Sequence, residues 1–316
     1  MGLLRSLMFV PGHRARMVDR ALGLGEFAAG PLDAAILDLE DGVPTGEKED
    51  ARRTVAAALG RAARGGPGPA RYVRVNRDAA GRDADLAAIV RPGLDAIVAP
   101  KVDHPDELAP LLRALDEREA SSKLRAGAVR VIVSIESARG LLEASAIAAC
   151  SDRVVALLFG AEDFALDLGL PADRQGEAAE LMHARSSVVV AAVAAGRLAI
   201  DGIWPDIGDA EGLRRDALLA RRLGFAGKSL IHPGQIATIN EVFSPSAEDV
   251  DRARRVIAAF DAAQARGEGA VALDGKLLDP PIVERARRTL RLHEAISAES
   301  RTPPVERPAA LEGKAD

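Results

Sequence analysis

The chain has 316 residues, 48% of them hydrophobic and 28% charged, with a formal net charge of −5. Those proportions describe a globular protein with a large buried core, in one α/β barrel or two ordinary domains. The negative balance gives no general attraction to nucleic acid or anionic lipid, and the single cysteine, Cys150, excludes an internal disulfide and a cysteine-rich metal site.

The first residues do not read as a signal peptide, because Arg5 breaks the apolar run and no small-residue cleavage pattern follows. The longest later apolar run, 188–195, is too short to span a bilayer. The expectation is a cytoplasmic protein with no membrane contact.

In chain order, eight short aliphatic runs predict strands: Ser6–Pro11, Ala34–Asp41, Arg71–Asn76, Ala96–Val102, Arg130–Ser137, Val154–Asp163, Leu198–Pro205 and Gly227–Pro233. Most are continuously apolar, as in parallel strands covered on both faces. Helical spacing fills the intervals. Leu108, Leu111, Leu112 and Leu115 form one stripe, and Leu213, Ala217, Leu218 and Leu223 another, with Gly224 as a C-cap. Eight strand–helix units of about 30 residues each predict a (β/α)₈ barrel over residues 1–240. The glycines at 23, 25 and 30 lack the spacing of a dinucleotide-binding fingerprint, which disfavours a doubly wound sheet.

Residues 241–299 are surplus to a barrel. Ser246 predicts an N-cap with Glu248 and Asp249 in the first helical turn, a glycine-punctuated stretch suits a lid, and a second helix follows. The proline-rich, charged tail from Ser300 to Asp316 reads as disordered.

Barrel enzymes place their catalytic groups at the C-terminal ends of the strands. Here those ends carry Asp38, Glu40 and Asp41; Arg74 and Asn76; Lys101; Glu136; Glu162 and Asp163; and Ser229 and His232. Glu136 and Asp163 end neighbouring predicted strands, which lie roughly 4.8 Å apart. Two carboxylates that close repel, and a divalent cation relieves the repulsion. Oxygen donors without a histidine pair favour Mg²⁺, with Mn²⁺ as a substitute. The competing reading pairs either acid with Arg74 or Lys101 in a salt-bridge network. Arg74 and Asn76, two apart on one strand, share a face, and an arginine there suits a substrate carboxylate or an enolate oxygen. The acidic trio Asp38, Glu40 and Asp41 is read as orienting Arg74 or holding metal-bound water. A lone histidine such as His232 is more often structural than catalytic.

The ordered set RSLMFVPGHR, DAAILDLEDGV, RVN, APKV, SIES, GAEDFALDLG, AIDGIWPDIGDAEGL, GFAGKSLIHPGQI and LDGKLLDPPIVERA resembles the citrate lyase β-subunit-like group of the HpcH/HpaI aldolase superfamily, from Arg5 to about Ala286. The resemblance implies Mg²⁺ held by Glu136 and Asp163, and a substrate carboxyl or carbonyl contacted by Arg74. It implies coenzyme A contacts at the N-terminal segment with Phe9, Arg14 and Arg16; Asn76 and Lys101, from their places at the strand ends, are read as further substrate- or cofactor-binding residues. It also implies an acidic catalytic residue, Asp279, supplied across a subunit interface in a homo-oligomer, a trimer or a multiple of one. The activity implied is reversible cleavage of a 3-hydroxyacyl-CoA of the malyl- or citramalyl-CoA type to an acyl-CoA and a 2-oxo acid. Alternatives are a citrate lyase β subunit acting on a citryl acyl-carrier protein, a CoA-independent class II pyruvate aldolase, and a non-catalytic barrel scaffold.

Overall fold

The structure is a computed structural model that describes residues 3–24, 31–63, 68–171, 179–267 and 271–301. Its contacts divide the chain into two units, Met1–Phe243 and Ser244–Asp316.

The first unit is a closed barrel of eight parallel strands in sequential order. They are β1 (Ser6–Pro11), β2 (Ala34–Asp38), β3 (Ala70–Arg74), β4 (Ala96–Ala99), β5 (Arg130–Ile135), β6 (Val154–Phe159), β7 (Leu198–Asp201) and β8 (Gly227–Leu230). β8 closes onto β1 with Ser229 opposite Leu7. The connecting helices are α1 (Ala15–Ala21), α2 (Lys48–Ala62), α3 (Ala79–Ile89), α4 (Leu108–Ser121), α5 (Ala138–Leu142), α6 (Ala144–Ala149), α7 (Ala161–Asp167), α8 (Met182–Ala194), α9 (Ala210–Leu223) and α10 (Ile236–Val242).

Strand alternation sorts the apolar residues into two layers. Leu7, Ile36, Tyr72, Val98, Ile132, Leu158 and Ile200 pack together inside the barrel. Their neighbours Met8, Leu37, Val73, Ile97, Val133, Leu157 and Ala199 join the helices in the outer core. A strand buried on both faces has no polar side to show, which is why these runs read as continuously apolar. The expected leucine stripe of α4 is confirmed, with Leu108, Leu111 and Leu115 buried. Gly224 caps α9 at φ 105°, where an L side chain is strained.

The strands stop sooner than the apolar runs suggest. Glu40, Asp41, Asn76, Lys101 and Glu136 lie in the turns beyond them, and Asp163 sits in the first turn of α7. The ladder ends where neighbouring backbones diverge into loops, and a polar residue following an apolar run does not mark that point.

The second unit contains α11 (Ala247–Ala265), an antiparallel hairpin of β9 (Val271–Leu273) and β10 (Lys276–Leu278), and α12 (Pro280–Arg301). Ser246 caps α11 reciprocally with Asp249, as expected. The glycine-punctuated stretch resolves into the hairpin: Asp274 and Gly275 both adopt positive φ, the twist a two-residue turn needs. Ala253, Val256, Leu278, Val283 and Ala286 form this unit's core. Ser300 and Arg301 of the expected disordered tail instead end α12; residues 268–270 of the expected lid and the rest of the tail, from Thr302, lie outside the described residues. Among those described, no helix is long and apolar enough to cross a membrane.

Candidate active site

The acidic turn after β2 collects the cations of the barrel mouth. Arg74, the last residue of β3, donates from Nε and Nη2 to the two carboxylate oxygens of Asp38 at 2.8 and 2.7 Å. Its Nη1 lies 3.1 Å from Glu40 Oε2, and its guanidinium stacks 4.9 Å above the Phe9 ring. Asp38 in turn accepts from the backbone N–H groups of Glu40 and Gly42 at 2.9 and 2.8 Å. Gly42 is required by this approach, since a Cβ there would stand 2.3 Å from Asp38 Oδ2. Burial alone would raise the Asp38 carboxyl, but the Arg74 bonds and charge outweigh it and hold the group below the usual range.

Lys101, in the left-handed region at φ 52°, follows the end of β4. A lysine has no intrinsic preference for that conformation, so its ion pairs help to hold it. Its Nζ lies 2.6 Å from Asp41, 3.4 Å from Glu40 and 3.5 Å from Asp163. Burial would lower the ammonium's pKa, and these carboxylates raise it instead.

Glu136 immediately follows β5 and is 5% exposed. Its Oε2 is buried without a hydrogen-bond partner. Burial first, and the Asp163 and Glu40 charges next, outweigh Arg74 and Lys101 and push its pKa up to about 7. Gly160, at the end of β6, makes room for it: a Cβ there would fall 2.3 Å from Glu136 Cγ. Glu40 is raised in the same way, by burial first. Two cations thus face five carboxylates, and two buried carboxylate oxygens make no hydrogen bond: Glu40 Oε2, which has the Arg74 ion pair, and Glu136 Oε2, which has neither bond nor ion pair. That imbalance fits a hard cation bound by Glu136 and Asp163 with positions left for other oxygens. The salt-bridge reading describes Asp163, which reaches Lys101, better than it describes Glu136.

The structure brings together Phe9, Asp38, Glu40, Asp41, Arg74, Lys101, Glu136 and Asp163. It does not bring Asn76 to the mouth. β3 ends at Arg74, so the two-residue alternation does not extend to Asn76. Its buried amide instead meets Lys48, Leu39 and Asp85. Arg14 and Arg16 are exposed beside the start of α1. Asp279, in the second unit, is exposed and accepts from Ile282 N at 2.9 Å. His232 Nδ1 accepts from Gly234 N in the turn after β8.

Sequence reasoning missed a second charge cluster. On the helix side of β7 and β8, Arg185 pairs with Asp201 and Asp216 at 2.7 and 2.8 Å, and Lys228 meets the same two aspartates at 2.5 Å each. All four residues are at most 4% exposed. The one available signal was Lys228, a cation inside an apolar strand. A cavity of about 240 Å³ borders this quartet and Trp204, and contains neither Glu136 nor Asp163. Its buried charges are matched, so the chemistry is assigned to the mouth.

The sequence profile described as HpcH/HpaI aldolase/citrate lyase matches residues 5–233. Citrate lyase subunit beta of Haemophilus influenzae is 37% identical over 296 residues, covering 92% of this chain and 97% of that one. The (3S)-malyl-CoA thioesterase of Cereibacter sphaeroides is 36% identical over 297 residues, covering 93% and 96%. The crystal structure of the protein CitE from Mycobacterium tuberculosis, in complex with magnesium, acetoacetate and coenzyme A, superposes with a TM-score of 0.72 at 31% identity, covering 92% and 98%.

Proposed function

The chain belongs to the HpcH/HpaI aldolase/citrate lyase family, and we propose that within it the protein is a Mg²⁺-dependent lyase that reversibly cleaves a 3-hydroxyacyl-CoA of the malyl- or citramalyl-CoA type to an acyl-CoA and a 2-oxo acid. The observation that carries this reading is Glu136, a buried carboxylate with an unpartnered oxygen and a raised pKa, interacting with Asp163 and Arg74. Its oxygen donors suit Mg²⁺, and the magnesium and coenzyme A bound by the mycobacterial relative support the same assignment.

Mg²⁺ held by Glu136 and Asp163 would supply Lewis-acid polarisation of the 2-oxo acid end of the substrate. The remaining work falls to the chain's own groups. Two of Arg74's five N–H groups are taken by Asp38 and one faces Glu40, which leaves two for a substrate oxygen. Held on one side by Asp38 and on the other by Phe9, this guanidinium is oriented before substrate arrives. In cleavage the substrate hydroxyl gives its proton to solvent and becomes the carbonyl of the 2-oxo acid, the C2–C3 bond breaks, and its electron pair passes into a thioester enolate whose oxygen Arg74 stabilises. Asp279, supplied by a neighbouring copy in a homo-oligomer, protonates the enolate carbon, and removes a proton there in the reverse direction. The exposed Arg14 and Arg16, near Phe9 in sequence, suit the phosphates of coenzyme A.

The likeness to a (3S)-malyl-CoA thioesterase favours a second reading, in which the thioester is hydrolysed. One panel separates them: malyl-, citramalyl- and hydroxymethylglutaryl-CoA, each with Mg²⁺ or EDTA. Mg²⁺-dependent release of acetyl-CoA with a 2-oxo acid supports the lyase. Release of free CoA with an intact hydroxy acid supports the thioesterase. Full acetyl-CoA release in EDTA overturns the Mg²⁺-dependent lyase.

A further inference from the structure

The turn Asp38–Gly42 supplies both carboxylates paired with Arg74 and two of the three paired with Lys101. Where that turn sits therefore decides where both cations point. On one side it is held by Asp38 itself, through the Glu40 and Gly42 amides. On the other it is held from outside the barrel, by a residue that no motif singled out.

Lys48 opens α2 and sends its ammonium to three acceptors: Leu39 O at 2.7 Å, Glu40 O at 2.6 Å and Asn76 Oδ1 at 2.8 Å. An ammonium has three N–H donors, so none is left for a ligand. Asn76 extends the contact, donating to Leu39 O at 2.9 Å and to Asp85 Oδ2 at 2.7 Å. Asp85, fully buried on α3, also accepts from the Asn76 backbone N–H and, on its other oxygen, from Arg52 Nε at 2.7 Å. Arg52 lies one turn beyond Lys48 on the same helix. The loops after β2 and β3 are thereby tied to each other and to α2 and α3.

We propose that Lys48 is a positioning residue for the barrel-mouth reaction: by gathering the Leu39 and Glu40 carbonyls and the Asn76 amide onto one ammonium, it fixes the acidic turn that aims Arg74 and Lys101. It acts through the turn and touches no substrate. Arginine is a poor replacement, because a planar fork cannot converge on three acceptors around a point. A methionine has similar length but no donor, so Glu40 O and Asn76 Oδ1 lose the ammonium and Leu39 O keeps only the Asn76 amide.

The proposal rests on the lyase reading for its kinetic consequence but not for its structural one, so the test reads both on the full-length protein. In K48M, hydrogen exchange in a peptide spanning residues 37–44 should rise at least tenfold, Mn²⁺ affinity should stay within threefold, and kcat/KM should fall at least thirtyfold. K48R should fall between K48M and wild type, and serves alone if K48M does not fold. Adding K48M to D38N should lower kcat/KM by less than threefold beyond D38N alone, since both changes disorder one turn. Unchanged exchange in the 37–44 peptide, or losses that simply multiply in the double variant, would overturn the proposal. A wild-type protein inactive on every hydroxyacyl-CoA would overturn the lyase reading instead, and exchange would still decide the role of Lys48.

Discussion

Two charge clusters lie near the C-terminal ends of the barrel strands, one inside the mouth and one on the helix side of the wall. The outer quartet sets two cations, Arg185 and Lys228, against two aspartates, Asp201 and Asp216, with all four residues nearly inaccessible. The mouth sets two cations against five carboxylates, leaves Glu136 Oε2 unpartnered, and keeps Asp163 and Asp41 partly open to solvent. Buried charge that is matched and enclosed ties elements together. Buried charge that is unmatched and reachable is a place for an ion or a substrate.

The largest effect that tests this contrast is on turnover. Replacing Glu136 with Gln keeps its shape and removes its charge, and should lower Mg²⁺-dependent turnover by about 10³-fold or more, roughly 4 kcal/mol of barrel-mouth chemistry. Thermal unfolding of the metal-free variant should be unchanged or shifted upward, since a carboxyl with a raised pKa is itself a strain on the fold. The opposite pattern belongs to the quartet. Asp201→Asn leaves Arg185 and Lys228 short of a partner, and urea unfolding should show a loss of about 3–5 kcal/mol, while the protein that remains folded keeps its Mn²⁺ affinity.

Next comes pH. Glu136 holds its proton to about pH 7 when folded, against 4.5 as the ordinary value. Between those values the folded metal-free chain binds more protons than the unfolded one, so its stability falls as pH rises, by on the order of 3 kcal/mol in all. The contribution is complete below pH 4.5 and gone above 7. Urea titrations at a series of pH values should show this decline in wild type, not in Glu136→Gln, and excess Mg²⁺ should offset it. The smallest effect is steric. Gly160→Ala puts a methyl against Glu136 Cγ and should weaken Mn²⁺ binding about 10–100-fold, as changes beside a metal ligand do, with the barrel still folded.

Much of the barrel was legible in the chain because its strands are buried on both faces, and runs such as Arg130–Ile135 carry no polar alternation to confuse the count. The strand ends were less so. Val154–Asp163 read as one strand, yet Gly160 breaks it and Asp163 belongs to the following helix. That residue reaches the mouth by a helical turn rather than by a ladder position. Asn76 was placed with Arg74 on a parity that holds only inside a strand. The quartet was not legible, because Arg185, Asp201, Asp216 and Lys228 are separated by whole strand–helix units and only closure of the barrel unites them. Lys48 sits in the charged run Glu47–Asp50, which looks like any solvated helix start. The three acceptors that occupy it come from two other loops.

The central claim is that Glu136 and Asp163 form the divalent-cation site, and Mn²⁺ binding followed by electron paramagnetic resonance, with Mg²⁺ as competitor, tests it most directly. Wild type and Asp201→Asn should each bind one Mn²⁺ per chain that Mg²⁺ displaces, and Glu136→Gln should lose it. Mn²⁺ bound as tightly by Glu136→Gln as by wild type would contradict the assignment.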